Sequence, residues 1–382
     1  MVETDRPARP LSIAIAGGGT GGHVVPGLHL LDHLRKRSAP LAPVLWFGAG
    51  RGIEDRVFEG ARERLGGLAL ERVALDLEPP GGGAPSLARI ARRAIPAARV
   101  ALGRLRSHET RVVLGLGGYT SLPAVLAARW LGVPSVLLEI NAVQGKATRF
   151  MAPLARRVIH AWPASLPPRA SRKHVCFGPP LSTAFAEAPG DEEDSRAARA
   201  LLGFDPARPL LVVLGGSQGA LALNRFGRLY APSLVEAGIQ VLQQVGPGRS
   251  DQGAEERPGI RRREYLDDVP LALRAATAVL CRGGASTLAE VAALARPAFV
   301  VPYPHHPDRH QEANARSLGG GVEIVPEDRL GPAFLEELRQ VLGPRGSERR
   351  ETMARALEVA VPRDGAARLA DELLALARGD ES

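Results

Sequence analysis

Four stretches of the 382-residue chain carry residue types that can do chemistry. The first is "GGGTGGH" (17–23), between the apolar run "LSIAIA" and a helix-like run opened by His23. Bare glycine backbone lets an anionic or bulky ligand approach the unpaired N–H groups of a helix start. The second, "VVLGGSQGALALN" (212–224), repeats the theme with Ser217 and Gln218 in the loop. A hydroxyl and an amide beside exposed N–H groups suit diphosphate oxygens. The third, "CRGGASTLAEVAAL" (281–294), runs from a strand into a helix with Glu290 early on it. A carboxylate is favourable there, and it can also bind sugar hydroxyls. The fourth, "VPYPHHPDRHQEANARSL" (301–318), leads a loop into a helix with Asp308, Gln311 and Asn314. Gln311 and Asn314 are three apart and share a face.

Each glycine run alone is also what a tight turn needs. A dinucleotide fingerprint would add an acid about 20 residues on, at the end of the second strand. That strand ends in "WFGAG", which argues against a nicotinamide cofactor. His305, His306 and His310 do not read as a metal set, because adjacent histidines point apart in an extended chain and no carboxylate–histidine ligand set accompanies them.

Positioning these loops requires strands and helices in alternation. Strands are expected at 11–16, 44–48, 111–116, 134–139 and 156–162, with helical patterns at 23–36, 53–65 and 120–131 between them. That alternation reads as a parallel sheet with crossover helices. Paired prolines in "HVCFGPPLSTAF" (174–185) and the acidic "GDEEDSR" that follows mark a boundary, after which the pattern restarts with strands at 209–216, 239–246, 278–283 and 297–303. The expected division is a disordered tail (1–10), an α/β domain (11–178), a second α/β domain (179–355) and a helical segment (356–382). Ligands in such sheets bind at the carboxyl ends of the strands.

Bulk composition sets limits. Hydrophobic residues make up 45% and charged residues 24%, so the chain reads as globular. The formal charge of +8 suits phosphorylated substrates, an anionic membrane surface or nucleic acid. Two cysteines far apart give no disulfide framework, and a reducing compartment fits. Neither a secretory signal nor an apolar run long enough to span a bilayer is present, so the expectation is a cytosolic protein, at most resting on a membrane.

Seven motifs in order then carry a resemblance: "GGGTGGHVVPGL", "GLGGYTSLPAVLAA", "LLEINAVQGKATR", "LGGSQGALALN", "YLDDV", "CRGGASTLAEVAAL" and "VPYPHHPDRHQEANA". Together, over about residues 11–360, they resemble the MurG family. The resemblance implies an α/β GT-B fold with two Rossmann-like domains and an interdomain cleft. It implies inverting transfer of GlcNAc from UDP-GlcNAc to the MurNAc 4-hydroxyl of lipid I, giving lipid II in peptidoglycan synthesis. No cofactor, metal or nucleic acid is implied, and other cell-wall synthesis enzymes are implied partners. The implied location is peripheral, on the cytoplasmic face of the cell membrane. Another GT-B lipid glycosyltransferase is an alternative. So is a UDP-GlcNAc 2-epimerase, whose usual arginine–proline–glutamate first turn is missing here.

Residue by residue, the resemblance gives Glu290 the ribose hydroxyls, the main chain near Leu266 the uracil, and Ser217 and Gln218 the diphosphate side. Arg282 and the helix starting at Ala285 would offset charge on departing UDP. Gln311 and Asn314 would recognise the donor sugar. Thr20, Gly21, Gly22, His23, Tyr119, Glu139 and Asn141 fall on the acceptor side. Inverting transfer needs a base, and His23 or Glu139 can serve, since both types can be tuned towards neutral pH. The chain departs from the pattern at Ser182, Ile140 and His310, where many relatives carry arginine, glutamine and glutamine. Residues 87–111 hold seven arginines and one acid, with Leu87, Ile90, Ala94, Leu102 and Leu105 at helical spacing. Such a segment can lie in an anionic interface or pack its apolar face on the sheet.

Overall fold

Short runs such as "VLWFG" and "LLVVL" are apolar without alternation, so as strands they must be covered on both faces. The computed structural model bears this out: β1 (Ile13–Ala16), β2 (Val44–Gly48) and β8 (Leu210–Leu214) are buried at every position. It describes residues 10–380 apart from 20, 38–40, 51, 63–64, 76, 78–86, 170, 186–188, 217, 250–256 and 306–307. Most of the expected tail, with Thr20, Ser217 and His306, therefore lies outside the described residues.

The described residues divide into two compact units: those up to Ile140, Gln144–Thr183 and those from Asp364 on form one, and Asn141–Val143 with Ala184–Arg363 the other. The first alternates β1, α1 (Gly21–Arg35), β2, α2 (Gly52–Ala61), β3 (Leu70–Ala74), α3 (Leu87–Ser107), β4 (Val112–Gly115), α4 (Ser121–Leu131), β5 (Ser135–Glu139), α5 (Lys146–Met151), β6 (Arg157–His160) and β7 (His174–Cys176). Its sheet runs β3-β2-β1-β4-β5-β6-β7, and the pairs are parallel. The second alternates α6 (Glu192–Leu201), β8, α7 (Leu221–Glu236), β9 (Gln240–Gln244), β10 (Ile260–Arg263), α8 (Val269–Ala275), β11 (Ala278–Cys281), α9 (Ala285–Ala293), β12 (Ala298–Val300), α10 (His310–Arg316), β13 (Val322–Ile324), α11 (Pro332–Leu342) and α12 (Ser347–Glu358). Its sheet, β10-β9-β8-β11-β12-β13, is again parallel.

Both sheets reverse their winding at one point, β1/β4 in the first and β8/β11 in the second. Loops leaving the strands on either side of such a point diverge and leave room for a ligand. Ala16 stands opposite Gly115 and Leu214 opposite Cys281, so the paired strands end level. The glycine-rich runs begin directly beyond those residues.

The division differs from the expected one in two places. Residues 179–183 stay with the first unit because α1 holds them: ring nitrogens of His29 and His33 donate to the Pro180 and Leu181 carbonyls, both at 3.0 Å. Asp32 accepts from the Thr183 N–H at 2.9 Å. The C-terminal helices do not form a segment of their own. α12 stays with the second unit, while α13 (Gly365–Arg378) returns to the first, where Arg37 donates to Asp371 at 2.8 Å.

Candidate functional site

In the first unit, Ala16 ends β1 and the chain turns through glycines into α1. Gly19 sits at φ +85°, a conformation glycine adopts at little cost. His23 lies in the first turn of α1. Its Cε1 is 3.4 Å from where a Cβ on Gly118 would stand, so the ring lies against the loop that follows β4. That loop is tied down by Ser121, whose hydroxyl is 2.7 Å from both the Ala16 and the Gly117 carbonyl. Burial lowers the His23 pKa below the ordinary imidazole value; a hydrogen bond with the Gly18 backbone opposes the shift. The imidazole is therefore neutral at pH 7. Tyr119, half-buried on the same loop, packs on the cluster of Leu122, Val125 and Met151.

Glu139 closes β5 and is 3% exposed. Its Oε2 accepts the Gly145 N–H at 2.8 Å, which holds the loop into α5. Asn141 follows two residues on, and its Oδ1 accepts from Asn314 Nδ2 at 3.2 Å. The three residues Asn141–Val143 belong to the second unit.

In the second unit, the β8–α7 turn is locked into the loop beyond β9. A Cβ on Gly219 would stand 2.1 Å from the Val245 carbonyl oxygen, and φ there is +69°. Asn224 donates to that carbonyl at 2.8 Å, and Gln244 donates to Gly216 O at 3.2 Å. Neither α7 nor α9 has a side-chain N-cap, so their leading N–H groups are left to other partners. The Ser286 hydroxyl at the start of α9 is buried without a partner among the described residues. Ala285 opens α9, and Glu290, 8% exposed, lies in its second turn. Leu266, also 8% exposed, lies in the loop before α8, which Asp268 caps by accepting from Leu271 N–H at 2.8 Å.

Three of the expected donor-side residues have partners within the protein. Asn314 is fully buried. Its Oδ1 accepts from Ala142 N–H at 2.8 Å, and its Nδ2 donates to Gly283 O at 3.0 Å and Asn141 Oδ1 at 3.2 Å. Arg282 forms a 2.8 Å ion pair with Glu327 and donates to Val301 O at 3.0 Å, so its charge is neutralised within the unit. Gln311 uses Oε1 to accept from Tyr303 N–H at 2.9 Å.

A buried acid that none of the motifs includes lies beyond β2. Glu54, six residues past the end of β2 and 1% exposed, accepts the Gly19 N–H at 2.7 Å. The available signal was an acid in the first turn of α2 behind the three glycines of "GAGRGIE". Turned onto backbone, this carboxylate is not presented to a ribose.

Two family models match the chain: the glycosyltransferase family 28 N-terminal domain over residues 13–160 and the family's C-terminal domain over 210–369. The UDP-N-acetylglucosamine--N-acetylmuramyl-(pentapeptide) pyrophosphoryl-undecaprenol N-acetylglucosamine transferase of Sorangium cellulosum is 38% identical, covering 96% of this chain and 89% of that one. The protein of the same name from Thermus thermophilus is 38% identical, covering 94% and 98%. The crystal structure of Acinetobacter baumannii MurG superposes with a TM-score of 0.69 at 26% identity, covering 96% and 99% of the two chains. A UDP-N-acetylglucosamine 2-epimerase superposes at 0.64 with 13% identity, a likeness of fold alone. Two parallel sheets, each wound about one switch point, make this the GT-B fold. The chain belongs to the MurG family of UDP-sugar glycosyltransferases.

Proposed function

We propose that this chain transfers GlcNAc from UDP-GlcNAc to the 4-hydroxyl of MurNAc in lipid I, with inversion at the anomeric carbon. The observation that carries the mechanism is His23: a neutral imidazole against the Gly117–Gly118 loop at the first sheet's switch point. A neutral imidazole can accept the hydroxyl proton as the acceptor oxygen bonds to the anomeric carbon. The bond from that carbon to the diphosphate breaks, and UDP leaves with the electron pair. Glu139 is the weaker candidate for the base, since its carboxylate is almost wholly buried and holds the Gly145 N–H.

On the donor side, the starts of α7 and α9 offer N–H groups and the positive ends of helix dipoles to the diphosphate. These ends are fixed in place before reaction, so stabilising the leaving group needs little reorganisation. Glu290 and the main chain at Leu266 suit the ribose and the uracil. Arg282 acts by orienting: its ion pair with Glu327 and its bond to Val301 O brace the β12 exit, and the leaving charge falls to the helix starts.

Contact with the membrane bearing the lipid acceptor fits the outer face of α3. Ala94, Ala97, Ala101 and Leu105 of that helix are core residues, so its apolar stripe packs inward. Leu87 and Ile90 have side chains outside the described residues. The opposite face presents Arg92, Ile95, Arg99 and Val100, with Ile95 62% exposed. Among the described residues, no helix is long and apolar enough to cross a membrane.

The test is incubation with labelled UDP-GlcNAc and a lipid-linked MurNAc-pentapeptide acceptor. Label in a disaccharide lipid with release of UDP supports the reading. Label moving only into UDP-ManNAc, or nowhere, overturns it. His23→Ala should lower kcat by about 10²–10⁴ with the protein folded, as loss of a general base does, and by more than Glu139→Gln does.

A further inference from the structure

Glu54 is the third residue of α2 and is 1% exposed. Its Oε1 accepts the Gly19 N–H at 2.7 Å and the Ala49 N–H at 2.9 Å, and its Oε2 accepts the Gly50 N–H at 3.1 Å. Helix capping accounts for part of this, because a carboxylate at the third helical position commonly turns back onto N–H groups before its helix. Capping does not account for Gly19, thirty-five residues away in the chain and on the loop of a different strand. One buried carboxylate thus joins the turn after β1 to the turn after β2. Hydrogen bonds to an ionised acceptor are about twice as strong as neutral ones, and burial makes them costly to give up.

The glycine turn is built around that carboxylate. A Cβ on Gly18 would stand 2.4 Å from Glu54 Oε1 and 2.6 Å from Ala49 N, so no larger residue fits while Glu54 is seated. The Gly19 N–H points at an internal anion, in the part of a glycine turn where a nucleotide phosphate would otherwise sit. What remains for an external anion is the start of α1, the turn that carries His23.

We propose that Glu54 is a positioning residue for the acceptor side. It fills the glycine turn as a built-in anion and sets the backbone from which the first turn of α1 presents His23 to the Gly117–Gly118 loop. This rests on the assignment of that turn to the lipid-linked acceptor.

The test is Glu54→Gln, which keeps one acceptor oxygen but turns an NH2 group onto N–H donors. Steady-state rates are measured with both substrates varied, together with hydrogen–deuterium exchange. The expected result is a fall in kcat/KM for the lipid acceptor of about 10- to 100-fold, the scale of a small misplacement of reacting groups. KM for UDP-GlcNAc should stay within about twofold, and peptides covering 17–23 should exchange faster while those covering 212–224 do not. Gly18→Ala disturbs the same seat from the other side and should give the same pattern; it serves as the test where Glu54→Gln does not fold. A folded variant with wild-type acceptor kinetics, or a parallel rise in both KM values, overturns the proposal. Full activity in His23→Ala would instead show that the acceptor assignment has failed, whatever the exchange of 17–23.

Discussion

Asn314 decides between two uses of one side chain. The family resemblance gives it to the donor sugar, whereas the structure spends its amide on Ala142 N–H, Gly283 O and Asn141 Oδ1. Asn314→Ala would leave two backbone groups, one N–H and one C=O, unpaired in a fully buried place. Each costs about 1–3 kcal/mol, so the loss is about 3 kcal/mol or somewhat more. A unit of this size shifts its melting temperature by about 2–4 °C per kcal/mol, so its transition should fall by roughly 10 °C. Asn314→Asp is more telling, because it changes almost no volume. Its carboxylate keeps the Ala142 bond but faces two oxygens at the distances where the amide now donates, so it should melt at least as low as the alanine variant. The assays are calorimetry and, well below both transitions, KM for UDP-GlcNAc. A variant that melts within about 2 °C of the wild type while KM rises tenfold would refute the reasoning and return Asn314 to the sugar.

Three further outcomes follow from the same structure. Because burial lowers the His23 pKa, the proposed base stays unprotonated below the ordinary histidine value near 6.5. The rate should therefore hold through neutral pH and fall only at lower pH, and an acid limb centred at or above 6.5 would count against a neutral imidazole base. Burial, then the charge of His174, pushes His160 down to about 4. The folded state thus binds fewer protons than the unfolded chain between about 4 and 6.5, so stability is full above that window and is lost as pH falls through it, by up to about 3 kcal/mol. The melting temperature of His160→Asn should depend less on pH across that window, and equal slopes would argue against it. Replacing Arg92 and Arg99 with Gln should weaken co-sedimentation with anionic vesicles by about fivefold each, since a cation near such a surface contributes about 1 kcal/mol; unchanged binding would remove α3 as the contact.

The sequence made the inner strands legible and left the outer ones out. Four strands are missing from the expected set, β3, β7, β10 and β13, and all four are sheet edges. A central strand is covered on both faces and flanked on both sides, so it reads as an unbroken apolar run. An edge strand is open on one side and tolerates charge. "LERVA" and "IRRR" are accordingly polar and only partly buried. The α3 segment shows the same limit. Its apolar spacing was plain, but whether Ala94 and Leu105 faced lipid or core depended on the sheet beneath them.

The candidate site divides along a similar line. Glycine turns are local and follow the carboxyl ends of strands, so the motifs alone located them at both switch points. The direction a polar side chain faces depends on partners far along the chain. Arg282 meets Glu327 and Asn314 meets Ala142 through contacts that no motif spacing encodes, and Glu54 reaches Gly19 across two strands. The consequence is chemical. Once Arg282, Asn314 and one Glu139 oxygen are engaged by the protein, fewer side chains remain to recognise substrate than the motifs suggest. The leading N–H groups of α7 and α9, which have no side-chain cap, are then the groups that the proposed reading gives to the diphosphate. Their dipoles favour a dianion over any neutral ligand, and selectivity for a sugar nucleotide can reside in backbone that side-chain substitution leaves intact.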